Sequence, residues 1–224
     1  MRKPIEDRVL YEDNHLLIVN KLPSEIVQGD KTGDVCLLDD VKSYIKETYN
    51  KPGNVFAGLV HRIDRPVSGA VIFAKTSKAL SRMTLKIKER EFSKIYLAVV
   101  KNKPPKDAGE LSDYMIKNEA QNKSYIVSSS TKGAKLAQLR YRVIGSSDSY
   151  YLLEVELITG RHHQIRCQLS NLGCPIKGDL KYGAPRSNPD GGISLHSRRI
   201  TFIHPVKKEP LTIEAPVPST WKGI

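Results

Sequence analysis

One aspartate stands between two arginines in the segment LVHRIDRPVSGAVIFAK, residues 59–75. A guanidinium group of Arg62 or Arg65 close to Asp64 would stabilise the ionised form of its carboxylate at neutral pH. An ionised carboxylate can act as a nucleophile, as a general base or as a stabiliser of a developing cation, whereas a general acid must hold a proton. The alternative is an ion pair on a surface turn, because alternating charges are common in loops and contribute little to stability.

A second group of cations lies at the predicted start of a helix, in LITGRHHQIRCQLSNLGCPIKGD, residues 157–179. The free backbone amides of a helix N-terminus attract anions, so Arg161, His162 and His163 form a candidate site for RNA phosphates. On an ideal helix His162 and Arg166 lie one turn apart on a shared face, and Arg166 could point at an acidic partner. The alternative for this segment is a basic helix end in contact with solvent.

The sequence lacks the residue patterns that usually mark metal and cofactor sites. Neighbouring residues such as His162 and His163 diverge on a helix, and no nearby carboxylate supplies a third ligand. The sequence contains no GxxxxGK loop, no GxGxxG after a strand, no HExxH and no GxSxG elbow. We therefore expect neither a metal nor a cofactor.

The charge balance favours a polyanionic partner. Lysine and arginine number 36 against 24 aspartates and glutamates, a formal net charge of +12. Such a charge suits binding to nucleic acid, with an anionic membrane surface as the alternative. No stretch approaches the roughly 20 apolar residues of a membrane span, and the start MRKPIEDR lacks the apolar run of a signal peptide. We expect a soluble cytoplasmic protein, a monomer by default.

The cysteines and the length set two further expectations. Cys36, Cys167 and Cys174 are odd in number and widely spaced, which supports neither a disulfide framework nor a four-cysteine zinc site. We expect reduced, mostly buried thiols. A chain of 224 residues fits one domain or two closely joined lobes, and we interpret residues 1–224 as a single domain.

Hydrophobic periodicity predicts the elements that must position these residues. The apolar runs that read as strands lie at 14–21, 69–75, 95–100, 150–157, 194–203 and 211–216. Three- and four-residue spacing predicts a helix over 36–50, a second helix capped by Thr76 or Ser77, and a third that opens near Gly160 and ends at Gly173. Residues 183–192 are rich in turn formers and predict a surface loop. This pattern predicts an α+β protein with a largely antiparallel mixed sheet.

At this point a family resemblance becomes clear. HRIDRPVSG resembles the signature of the RluA-type RNA pseudouridine synthases, in which His-Arg-Leu/Ile-Asp precedes a loop that ends in Ser-Gly. SKIYLAVV resembles the family's Lys-x-Tyr-x-Ala strand, and TGRHHQIRCQLSNLGCPIKGDLKYG, SLHSRRITFIHPVKKEPLTIEAPVP and YEDNHLLIVNKLPSEIVQGD resemble three further blocks. The blocks keep the family's order and cover residues 11–218, nearly the whole chain.

The resemblance implies the pseudouridine synthase fold, with flanking helices and a central RNA-binding cleft. It also implies an isomerase that converts uridines of ribosomal or transfer RNA to pseudouridine without a cofactor. Carried over by position, Asp64 becomes the catalytic aspartate and Arg166 the basic residue that pairs with it across the cleft. Tyr96 would line the uracil pocket, Arg62 would approach the RNA, and Ile165 would pack near the base. Core packing is the alternative for Tyr96 and Ile165.

Two segments depart from the family pattern. The opening block usually reads Asn-Lys-Pro-x-Gly, but Lys21 is followed here by Leu22, Pro23 and Ser24. Pro66-Val67 replaces the more usual Asp-Thr before Ser68-Gly69, which alters the loop that follows Asp64. The blocks begin near residue 10, so we expect no separate N-terminal RNA-binding module and expect the catalytic domain to hold the RNA itself.

Two other function classes remain open at this point. A non-catalytic RNA-binding protein would need the charge but not the arrangement of Asp64, Tyr96 and Arg166. A glycosidase or nucleosidase usually needs a pair of carboxylates with separate roles, and no second acid lies near Asp64 in sequence.

Overall fold

The computed structural model of the protein describes residues 3–29 and 33–221, which form eleven strands and three helices. In chain order the strands are β1 (Val9–Glu12), β2 (Leu16–Lys21), β3 (Gly58–Leu59), β4 (Ser68–Ala74), β5 (Phe92–Val100), β6 (Ala108–Asn118), β7 (Lys123–Val127), β8 (Lys135–Ser146), β9 (Tyr151–Leu157), β10 (Leu195–Ile203) and β11 (Pro210–Glu214). The helices are α1 (Leu37–Thr48), α2 (Ser77–Lys88) and α3 (Gln164–Asn171).

The chain folds into two compact units. Unit 1 comprises Met1–Ser93 and Ser197–Val217, and unit 2 comprises Lys94–His196 and Pro218–Ile224. The boundaries fall inside β5 and β10, so each of these strands contributes residues to both units.

Unit 1 is a sheet with two helices. Its strands follow the order β1-β2-β4-β10-β11, and the short β3 pairs with β4. All seven residues of β4 are buried, as expected for a strand covered on both faces. A core cluster joins β2 and β4 to α2 through residues such as Leu16, Ile72 and Met83.

The helices of unit 1 follow the predicted signals. Leu37, Val41 and Ile45 recur every four residues along α1 and are its buried positions. Thr76 caps α2, because its hydroxyl accepts the backbone N–H of Ala79 at 3.1 Å. Both predicted helices are thereby confirmed, and no helix among the described residues has the length and apolar character that a membrane span requires.

Unit 2 is a strand-rich sheet in the order β5-β9-β8-β6-β7, with every neighbouring pair antiparallel. Periodicity predicted no strand in residues 101–149, where β6, β7 and β8 lie. Most of their side chains are exposed or half-buried, so the apolar alternation that reveals a buried strand is weak there. The expected α+β class with a largely antiparallel sheet is confirmed.

Candidate active site

Asp64 lies in a tight turn that leads into β4. The N–H of Val67 donates to the backbone carbonyl of Asp64 at 3.0 Å, and the side chain of Asp64 is half-buried. Of the two flanking arginines, Arg65 pairs with Asp34 at 3.1 Å and donates to the carbonyl of Ser24. Arg62 is exposed. The guanidinium of Arg65 therefore ties the turn to the segment around Ser24 and Asp34.

The side chain of Lys21 also holds this turn in place. Its ammonium is fully buried and donates to the backbone carbonyls of Leu22 at 2.9 Å, Arg65 at 2.9 Å and Val67 at 2.6 Å. Burial lowers the pKa of Lys21 to about 7, although the negative charges of Glu25 and Asp64 act in the opposite direction. The buried side chain of Lys21 thus links the end of β2 to the residues on both sides of Pro66.

The altered opening turn keeps an unusual backbone conformation. Ser24 occupies the position at which the resembled family usually has glycine, and its φ is +67°, in the left-handed region that favours glycine. The buried carboxylate of Glu25 accepts the N–H of Leu22 at 3.0 Å and the guanidinium of Arg8 at 2.7 Å. These two bonds stabilise the turn although serine, and not glycine, occupies its left-handed position.

The surroundings of Gly69 explain why HRIDRPVSG, residues 61–69, ends in glycine. Its φ is +113°, and a Cβ placed on it would lie 2.3 Å from the carbonyl oxygen of Ser197. Real Cβ atoms do not approach a backbone oxygen so closely, so β4 can pass Ser197 only with glycine at this position. The glycine fixes how the Asp64 turn enters the sheet of unit 1.

The start of α3 differs from the predicted one. The helix begins at Gln164 and not near Gly160, because His163 adopts the left-handed conformation with φ of 52°. His162 therefore precedes the helix, and the prediction that it shares a helical face with Arg166 is wrong. All residues from Gln164 to Leu169 are buried, whereas Arg161, in front of the helix, is exposed.

The side chains predicted to hold phosphate at this helix start make hydrogen bonds within unit 2, and their phosphate role stays a prediction. Arg161 donates its Nε–H to the carbonyl of Leu136 at 2.8 Å. The ring of His162 contacts the hydroxyl of Ser124 at 2.8 Å and the side-chain oxygen of Asn122 at 3.1 Å. Burial, aided by the charge of Arg166, lowers the pKa of His163 to about 2, so this imidazole is neutral.

Arg166 is held by a buried carboxylate from the segment after α3. Its Nε and Nη2 atoms donate to the two oxygens of Asp179 at 2.7 and 2.9 Å. The exposed fractions of the two side chains are 5% and 1%, so this bidentate pair is withdrawn from solvent. The Tyr182 ring covers the guanidinium, with 5.0 Å between Cζ and the ring centroid. Arg166 is therefore fixed in direction before any substrate arrives.

Tyr182 extends this network to the helix start. Its hydroxyl accepts the N–H of Ser124 at 2.8 Å and lies 3.0 Å from Nδ1 of His163. Burial raises the pKa of Tyr182 to about 12, so the hydroxyl keeps its proton and can donate it to the neutral imidazole. The left-handed turn at His163, the ring of Tyr182 and the Arg166–Asp179 pair form one polar network.

The remaining predicted residues lie in unit 2. Tyr96 is on β5 opposite Val155 and is 6% exposed, and Ile165 is 4% exposed on α3. Burial fits both core packing and a place in a closed pocket, so their roles stay predictions. The pairing of Asp64 with Arg166 also stays a prediction, because Asp64 belongs to unit 1 and Arg166 to unit 2.

The sequence reasoning missed three residues with a part in this geometry: Lys21, Asp179 and Tyr182. A lysine that ends an apolar strand, and an aspartate that follows a glycine soon after a buried helix, are the signals that could have pointed to them. The expected thiols are confirmed, since Cys36, Cys167 and Cys174 are free and buried. Within the described parts of the chain, no group of three or more His, Cys, Asp or Glu side chains could hold a metal ion.

Comparison with known proteins places this geometry in context. Residues 15–171 match the family described as RNA pseudouridylate synthase. The ribosomal large subunit pseudouridine synthase C of Buchnera aphidicola is 34% identical over 94% of this chain and 67% of its own length. The protein of the same name from Rickettsia bellii is 32% identical over 100% of this chain and 72% of its own length. The structure of human RNA pseudouridylate synthase domain containing 4 has the same fold, with a TM-score of 0.81 at 23% identity, over 97% of this chain and 91% of that one.

Proposed function

This chain belongs to the RNA pseudouridylate synthase family, and we propose that Asp64 is the residue through which it isomerises uridine in ribosomal or transfer RNA. Membership makes the protein an isomerase whose substrate is RNA, as the RluA-type resemblance predicted. The family match runs through both compact units, which supports our view that they form one catalytic domain.

The reaction sets what the residues must do. The bond from ribose C1′ to uracil N1 breaks, the base turns, C1′ bonds to uracil C5, and C5 loses a proton while N1 takes one up, so the product is an isomer of the substrate. Nothing else is consumed, so the chemistry needs no redox or nucleotide cofactor. The target must leave its stack, at a cost of a few kcal/mol that contacts to the RNA backbone offset.

The observation that carries the proposal is the way in which the Asp64 turn is held. Lys21 binds the carbonyls of Arg65 and Val67, and Gly69 lets β4 pass directly beside Ser197. A half-buried carboxylate on a turn fastened from two sides is preorganised, which a group that acts on the ribose requires. Attack on the sugar, addition to the base and removal of the ribose 2′ proton would each use this carboxylate.

The other residues receive their roles from the family resemblance. Arg166, aimed by Asp179, pairs with the catalytic carboxylate, and Tyr96 confines the detached uracil. Arg62 approaches the RNA, and its exposure supports that role. Ile165 packs beside the base.

The relatives favour ribosomal RNA as the first substrate to examine. Two relatives at 34% and 32% identity are named for the ribosomal large subunit. We propose that the protein acts as a monomer in the cytoplasm, where ribosomal and transfer RNA are available to it.

Tritium release from RNA labelled at uracil C5 tests the proposal. Unmodified ribosomal and transfer RNA are assayed separately with wild type, Asp64→Asn and the control Asp148→Asn, which changes an exposed aspartate between β8 and β9. We expect release by wild type and by Asp148→Asn, and none by Asp64→Asn, because the amide keeps the shape of the side chain but removes its charge. RNA affinity of Asp64→Asn should stay within a few-fold of wild type. Turnover by a pure Asp64→Asn preparation would refute the assignment.

A further inference from the structure

Three lysines surround the turn that joins β6 to β7, residues 119–122. Lys117 lies in β6, Lys123 begins β7, and Lys181 comes from the 3-10 turn Leu180–Tyr182. Lys181 donates to the carbonyl of Asn122 at 3.1 Å, which fastens its charge to the turn. We call Lys117, Lys123 and Lys181 the lysine cluster.

The charges of the cluster act on a common region. Lys181 and Lys117 both contribute to the low pKa of the buried His163, after burial itself and the charges of Arg166 and His162. Residues 118–123 contain a single carboxylate, Glu119, which pairs with Lys117 at 2.5 Å and is 79% exposed. An exposed pair of this kind is weak and can exchange its carboxylate for another anion. The region around the turn is therefore positively charged.

Aromatic rings accompany these cations. The Nζ atom of Lys123 lies 5.3 Å from the ring centroid of Tyr125 and 5.2 Å from that of Tyr182. Tyr125 is 37% exposed, so one face of the arrangement is open to a ligand. Surfaces that bind single-stranded RNA combine a positive track for the phosphates with aromatic side chains on which bases stack.

The cluster also lies beside the network that fixes Arg166. Tyr182 contacts both Lys123 and the guanidinium of Arg166, at 5.2 and 5.0 Å from the ring centroid. The two cations therefore contact a single buried ring of unit 2. RNA held at the cluster would run next to Arg166, the residue that the proposed function pairs with the catalytic carboxylate.

We propose that the lysine cluster binds the phosphate backbone of single-stranded RNA beside the Arg166 network of unit 2. The proposal rests on the proposed function for the identity of the ligand, and it stands beside the predicted phosphate contacts of Arg161, His162 and His163. RNA is the favoured occupant because the cations, the exposed tyrosine and the net charge of +12 match a polyanion with stacking bases.

Equilibrium binding to a fluorescein-labelled oligocytidine tests the cluster. This probe has a phosphate backbone but no uridine, so it reports backbone contacts and not the reaction. Lys117→Gln and Lys181→Gln should each raise Kd by roughly three-fold near 0.1 M salt, the size of one exposed charge interaction. Each should also make the slope of log K against log salt shallower by about 0.7. Glu119→Gln should lower Kd, since it removes a competing carboxylate.

Two control variants separate the cluster from general surface charge. Lys132→Gln removes an exposed lysine from the turn that joins β7 to β8, and its Kd should equal that of wild type. Lys181→Arg keeps the charge and should restore binding. Equal Kd values for all variants, or an equal loss in Lys132→Gln, would overturn the proposal, and thermal melts of each variant exclude unfolding as the cause of a loss.

The outcomes distinguish this proposal from the proposed function. If wild type releases no tritium from uridine RNA but the variants differ in oligocytidine Kd as expected, the proposed function fails and the binding role of the lysine cluster is retained. If wild type releases tritium and the variants do not differ in Kd, the binding role of the cluster fails and the proposed function is retained.

Discussion

At the scale of single residues, the side chain of Lys21 holds the turn on which Asp64 lies. An ammonium group has three N–H donors, and Lys21 directs them at three main-chain carbonyls. Two of those carbonyls belong to Arg65 and Val67, on either side of Pro66. The rigidity of the Asp64 turn therefore depends on a lysine side chain that is itself out of contact with solvent.

Lys21 should make the stability of the protein depend on pH. Its pKa is about 7 in the folded protein against 10.5 in the unfolded chain, so between these values the unfolded chain binds more protons at this residue. The free energy of unfolding of wild type, relative to Lys21→Met, should therefore rise as the pH increases from 7 towards 10.5. Urea titrations at pH 6, 7, 8 and 9 measure it, with the exposed Lys132→Met as control. A difference that does not change with pH would contradict the prediction.

The Arg166–Asp179 pair should be strongly coupled. Removing one partner leaves a buried charge unpaired, so Arg166→Met and Asp179→Asn should each cost about 3–5 kcal/mol of unfolding free energy. The double variant should lose clearly less than the sum, since neither charge then remains. A double-mutant cycle from urea denaturation measures the coupling, and additive losses would show that the pair is not a stabilising unit.

At the scale of elements, the entry of β4 into unit 1 depends on one close approach. Gly69→Ala would place a methyl group against the backbone of Ser197 in a conformation that disfavours side chains. We expect a loss of about 3 kcal/mol or more, since strain and overpacking add. This corresponds to a fall in Tm of roughly 6–12 °C for a chain of this size.

Gly145→Ala is the matched control for this substitution. Gly145 lies at a bulge between β8 and β9, and a Cβ there would meet the Cβ of Leu152 at an ordinary 3.9 Å. Its Tm should stay close to that of wild type in differential scanning fluorimetry. Equal melting temperatures for the two variants would show that the approach of β4 to Ser197 is not restrictive.

The elements also show where periodicity is informative. The helix α1 and the strand β4 were predictable because each buries a regular set of apolar side chains. The start of α3 was predicted too early, because His163 adopts a left-handed conformation where its ring contacts Tyr182 and the carbonyl of His162 accepts the hydroxyl of Ser124. Helix propensity and spacing carry no information about those contacts.

At the scale of the whole molecule, the net charge of +12 should dominate the affinity for RNA. Each neutralised phosphate of a single strand adds about −0.7 to the slope of log K against log salt, so we expect a slope of about −2 or steeper. Fluorescence anisotropy with single-stranded RNA between 0.05 and 0.3 M salt, roughly the range over which such contacts weaken, measures it. A slope near zero would indicate a neutral substrate and not a polyanion.

The sequence by itself determined the chemistry and the partner. HRIDRPVSG, the Lys-x-Tyr-x-Ala strand and the positive charge identify the family and point to Asp64, because these residue types are local properties of the chain. Only the tertiary structure decided what holds the candidate side chains Asp64 and Arg166. Lys21 reaches the Asp64 turn from 44 to 46 residues away, and Asp179 reaches Arg166 from 13 residues away. Such partners are selected by burial, since a charge removed from water must find its counterpart wherever the fold brings one, and that choice depends on distance in space.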